Sequence, residues 1–121
     1  YASALRQAQE VEVAIPAMAK AAQMSDDGDL YARLGNIYLD ADQNEKAIDA
    51  ITKGLERGGV KRPANARLVL GMAYFNTKKY SDARKAFRAA GRDKRSEKYA
   101  KQWIKYMDSE LERQRKLAED V

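Results

Sequence analysis

The side chains in this sequence that could do chemistry are carboxylates, cations, amides and aromatic rings, because histidine and cysteine are both absent. Without histidine, the usual general base, proton shuttle and metal ligand is missing. Neither a Ser-His-Asp relay nor a Cys-His pair can be assembled. Without cysteine there is no thiolate nucleophile or disulfide, and a zinc site would have to be built from carboxylates alone. Carboxylates can act as acid and base where they converge in a pocket. Here they fall at helix starts, in turns and on outward-facing positions. The sequence therefore predicts a protein that is not an enzyme and carries no cofactor and no metal.

The cations are unevenly placed. Residues 1–60 hold six Lys and Arg against ten Asp and Glu, net −4, whereas residues 61–121 hold seventeen against eight, net +9. The densest run is Lys78, Lys79, Arg84, Lys85, Arg88, Arg92, Lys94, Arg95, Lys98, Lys101 and Lys105. Such a field could draw in an acidic partner or nucleic acid. A solvated outer face is the commoner reason for a helix rich in Lys and Arg, so nucleic acid is not the expected ligand. The same asymmetry allows head-to-tail association of copies, acidic end on basic end.

The elements that position these groups repeat along the chain. Around Ala14, Ala47 and Ala83 the same order of sizes recurs: small (Ala2, Gly35, Gly71), bulky (Leu5, Tyr38, Tyr74), large apolar (Met18, Ile51, Phe87) and small again (Ala21, Gly54, Ala90). Apolar periodicity predicts helices over residues 1–8, 11–24, 29–40, 44–57, 64–76, 80–91 and 96–117. Ser25-Asp26-Asp27-Gly28-Asp29 offers helix N-cap candidates. Gly58-Gly59 is expected to end a helix, since glycine tolerates left-handed cap geometry, with Pro63 opening the next. Pro16 predicts a mild kink. Val60-Lys61-Arg62 is read as a lengthened loop. Gly35, Ala47, Gly71 and Ala83 are expected where paired helix backbones approach, with Leu34, Leu70, Tyr38, Tyr74, Ile51 and Phe87 filling the core. No run approaches the length of a membrane span.

The repeat length brackets the 34-residue period of the tetratricopeptide repeat. Tyr31–Leu34–Gly35–Tyr38, Leu70–Gly71–Tyr74 and Tyr80-Ser-Asp-Ala83-Arg-Lys-Ala-Phe87-Arg-Ala-Ala90 agree with that family's signature. The chain thus resembles tetratricopeptide repeat proteins from residue 1 to about residue 95. The fold this implies is all-α: a right-handed array of helical hairpins, with repeats over 1–28 (truncated at its start), 29–62 and 63–95. A capping helix follows over 96–121. In that helix Ala100, Trp103, Ile104, Met107 and Leu111 share one face, the outer face is polar as a terminal unit requires, and Glu112 and Lys116 are placed for an ion pair. The chain opens inside a helix, so it reads as a piece of a longer protein holding that protein's C-terminal end.

The resemblance also implies function: a scaffold that binds a peptide or protein in a concave groove lined by the first helix of each hairpin. Carried over position by position, the groove would comprise Asp29, Arg33, Asn36 and Asp40, then Asn65, Val69, Met72 and Asn76, then Tyr99, Gln102, Trp103 and Tyr106. Amides suit a partner's backbone and aromatic rings suit its side chains. Trp103 is expected to seal the last repeat against Phe87. Ala32, Asn65 and Val69 stand where chaperone-binding members would carry clamp residues, so a chaperone tail is not the expected ligand. The alternative reading is a structural end-piece or self-association segment of a longer array. Finally, Gln102-Trp103-Ile-Lys-Tyr106-Met-Asp-Ser109-Glu-Leu-Glu-Arg, after Tyr74-Phe-Asn and Lys79-Tyr-Ser-Asp-Ala, resembles the end of tetratricopeptide proteins that accompany TonB–ExbB–ExbD systems in Gram-negative bacteria. That resemblance implies a periplasmic location, with the cytoplasm as the alternative, and a component of that complex as partner.

Overall fold

The computed structural model describes residues 14–119, so the helix expected over 1–8, with Ala2 and Leu5, lies outside the described residues. Within them α1 covers 14–24, followed by α2 (Asp29–Asp40), α3 (Asn44–Arg57), α4 (Pro63–Asn76), α5 (Tyr80–Ala90) and α6 (Lys94–Glu119). No strand occurs among the described residues. α6 is longer at both ends than the periodicity predicts. Asp93 Oδ1 accepts the Arg95 N–H at 2.9 Å and starts the helix before Ser96. At the far end Glu112 pairs with Arg115 at 2.5 Å, one residue short of the Lys116 expected.

Two turns of the same geometry fold the helices into hairpins. Asp42 and Lys78 both adopt positive φ (61° and 64°). The following amides, Gln43 and Lys79, each donate across the turn to Tyr38 and Tyr74 carbonyls at 2.8 Å. This closes the carbonyls left open at a helix end. The connection from α3 to α4 is built differently. Gly58 and Gly59 both take positive φ, 83° and 76°, so the glycine pair ends α3 as expected, with ψ 176° at Gly58 turning the chain out of the helix. At the start of α2 the cap position is Gly28, without a side-chain cap; Asp27 Oδ1 instead accepts the Asp29 N–H at 3.1 Å.

The glycines make room for side chains more than for backbones. A Cβ on Gly35 would stand 2.2 Å from Ile51 Cγ1, and one on Gly71 2.5 Å from the Phe87 ring. The repeating small residue in the first helix is therefore a socket for the large apolar residue of the second. True backbone contact occurs elsewhere: a Cβ on Gly28 would meet the Gly54 carbonyl oxygen at 1.9 Å. Ile51 and Phe87 are fully buried and Leu34 nearly so, whereas Tyr38, Leu70 and Tyr74 are half-buried. The core runs as three successive clusters centred on Leu34, Ile51 and Phe87, the last closed by Ala100 and Met107 of α6.

Each hairpin packs on the next through its second helix, α3 on α4 and α5 on α6, and the first helices also meet one another. α2 touches α4 and α4 touches α6, while α3 and α5 have no such contact among the described residues. The stack therefore curves with α2, α4 and α6 on its inner side.

Candidate functional site

That inner side carries a groove of about 340 Å³ between α2 and α4. Its floor is apolar, made by Ala32, Ala66 and Val69, the last two buried. Small side chains are used there because α4 packs this face toward Ile51, and what remains above them is a channel. Asn36 and Asn65 stand exposed on opposite walls, one on each helix. Arg33, Lys61 and Arg62 supply positive charge.

Asp29 is the one carboxylate lining this groove, and both of its oxygens are engaged. Oδ2 lies 3.1 Å from Arg33 Nε, and Oδ1 accepts the Lys61 N–H at 3.1 Å. With its side chain only 14% exposed, Asp29 fastens the α3–α4 loop against the start of α2. The same loop is held a second time by the Gly28 N–H, which donates to the Gly58 carbonyl at 2.6 Å. Val60, Lys61 and Arg62 thereby become groove lining. The sequence marks these three only as extra length between repeats; their spacing carries no sign that the loop folds back onto the preceding helix.

The other expected residues divide. Arg33, Asn36 and Asn65 meet in this groove with Val69 beneath them. Asp40 is exposed at the far end of α2 and does not line it. Asn76 donates its amide to Asn44 Oδ1 at 3.1 Å, joining the end of α4 to the start of α3. Met72 is half-buried against the cluster around Phe87. On α6, Gln102, Trp103 and Tyr106 line a separate, more open hollow, also about 340 Å³.

Around that hollow the rings pack on one another. Trp103 stacks on Phe87 at 5.5 Å with the planes 9° apart, which is the seal expected of it. It also meets Tyr106 edge-on at 5.9 Å, and Phe75 reaches both rings at 6.4 and 5.7 Å. Tyr99 and Tyr106 remain 58% and 53% exposed. The inner surface thus has an amide and cation end between α2 and α4 and an aromatic end on α6. An extended peptide could hydrogen-bond the first and lay a side chain on the second. No helix among the described residues is long and apolar enough to cross a membrane.

Comparison with protein-family models matches residues 28–57 and 64–90 to the tetratricopeptide repeat. The matches cover the α2–α3 and α4–α5 hairpins. Comparison with curated proteins finds no match.

Proposed function

Because this all-α array carries two tetratricopeptide repeats, a module whose general use is protein–protein interaction, we propose that it is a non-catalytic scaffold holding an extended segment of a protein partner across α2, α4 and α6. The groove between α2 and α4 carries this reading: an apolar floor walled by Asn36 and Asn65 and rimmed by Arg33, Lys61 and Arg62. Amides facing each other across a channel suit a peptide backbone, and the cations favour acidic side chains on it. Tyr99, Gln102 and Tyr106 extend the surface with rings on which a bulky side chain can rest. Asp29 serves the groove indirectly by holding its loop, and Asp40, Met72 and Asn76 fall to its margins.

The test compares capture of partners by the wild-type protein and by an Arg33→Ala/Asn36→Ala/Tyr106→Ala variant, at low and high salt. A partner held by the wild type, retained at high salt and lost in the variant supports the groove. A partner captured equally by both proteins would overturn it. The partner that the resemblance of residues 102–113 suggests is a component of a TonB–ExbB–ExbD system, at the periplasmic side of the membrane. That identification rests on the resemblance alone, and co-purification with the ExbB–ExbD complex would test it.

A further inference from the structure

The face of α6 turned away from Tyr99 and Tyr106 has no helix laid against it among the described residues. On α4 the corresponding face carries α5. The correspondence follows from the core: Ala66 and Val69 pack toward Ile51 as Ala100 and Trp103 pack toward Phe87. One repeat on, Leu70 and Gly71 of α4 are thus matched by Ile104 and Lys105 of α6. Gly71 is the socket that admits Phe87; Lys105 offers no such socket. The face is therefore unsuited to a close-packed helix of the array's own kind.

It offers something else. The half-buried Ile104, lying over the buried Phe87 and Ala100, floors a cleft of about 310 Å³ between α5 and α6, and the hollow continues along Lys105 and Asp108. The acids at this face are already taken, Asp108 by Arg84, Glu97 by Lys101 at 2.8 Å and Glu112 by Arg115 at 2.5 Å. Arg88, Arg92 and Lys105 are left as positive charge around Ile104. We propose that this face is a second docking site, for an acidic amphipathic helix of a protein partner. The apolar side of that helix would lie along Ile104 and its carboxylates would meet Arg88, Arg92 and Lys105. Nucleic acid fits less well, because the exposed rings that could stack bases stand on the opposite side of α6.

The probe is a fluorescein-labelled helical peptide of about fifteen residues, enough for some four turns, with leucines on one face and glutamates on the other. Fluorescence anisotropy near physiological ionic strength would compare it with the same peptide bearing glutamine for leucine, and with a single-stranded oligonucleotide. Both controls are expected to bind about tenfold more weakly or worse. Arg88→Glu/Arg92→Glu/Lys105→Glu is expected to weaken the leucine peptide at least about tenfold, and Arg33→Ala/Asn36→Ala/Tyr106→Ala to leave it unchanged. Circular dichroism checks that the charge-reversed protein is folded. If it is not, Arg88→Gln/Arg92→Gln/Lys105→Gln replaces it, with a loss of about threefold expected. The proposal is overturned if the wild type fails to bind the leucine peptide, or if either control binds as well. It is equally overturned if the charge variants make no difference, or if the groove variant abolishes binding.

Discussion

Between α2 and α4 the inner surface is floored by small side chains, whereas where α6 joins it the equivalent floor is made of rings. The two places are built on corresponding positions: Val69 floors the first and Trp103 occupies the second. The connections differ as well. α3 reaches α4 through Gly58-Gly59-Val60-Lys61-Arg62, while α5 reaches α6 through the tight turn Gly91-Arg92-Asp93. The longer link gives the groove a wall and two cations; the shorter one brings α6 in with Trp103 flat on Phe87. One scaffold thus makes a channel or a seal according to side-chain volume and loop length. Where the ring is present the surface is stacked on Phe87; where it is absent a channel remains between two amide walls.

The comparison breaks most severely at Phe87. Replacing Phe87, fully buried beneath Trp103, by alanine is expected to cost about 3–5 kcal/mol of unfolding free energy in urea denaturation. A loss below about 1 kcal/mol would mean that the rings on α6 do not depend on it. The sharper experiment makes the open end resemble the closed one. Val69→Trp should fill the floor between Asn36 and Asn65 and weaken the groove's partner about tenfold, roughly 1.4 kcal/mol, at a cost of about 1–3 kcal/mol in stability because Val69 is itself buried. Undiminished binding would place the partner elsewhere.

A smaller effect is expected at the loop. Asp29→Ala removes the acceptor of the Lys61 amide and should cost about 1 kcal/mol, with faster hydrogen exchange at Lys61 while amides in α5 are unaffected. The smallest concerns acid. The hydrogen bond from Arg84 holds the Asp108 carboxyl below the usual aspartate range, with Arg88 adding to the effect. A carboxyl depressed in the folded state contributes stability above its unfolded value and loses it as pH falls through the folded one. The pair is half exposed on the Asp108 side, so solvent limits it to a few tenths of a kcal/mol. Wild type should therefore lose slightly more stability than Asp108→Asn as pH drops from about 5 to about 2; equal acid sensitivity of the two proteins would refute the role.

Helix boundaries were legible because apolar spacing and turn residues are local signals. The bounds of α2 and α3 match the periodicity, and α4 starts on Pro63, one residue early, because proline lacks only an N–H that the first turn leaves unbonded. What spacing could not reveal is what each small residue accommodates: Gly35 and Gly71 receive the side chains of Ile51 and Phe87, while Gly28 and Gly54 make the backbone contact. Nor could it reveal which polar groups are used internally. Asp29 and Asn76 looked like ligand contacts, yet they hold Lys61 and Asn44 across 32 residues of sequence. Asp42 and Lys78 take a conformation that glycine would normally announce. Of the groove, Arg33, Asn36 and Asn65 were readable from the repeat position, whereas Val60, Lys61 and Arg62 depend on a loop whose path is set by its partners.

The position of α4 has a mechanical consequence. Among the described helices it touches α2, α3, α5 and α6 alike, and close-packed side chains resist being driven into one another. A ligand seated between α2 and α4 would therefore press on the helix that the rest of the stack shares, like a hand laid on a keystone, so that occupancy of the groove would be felt beyond it.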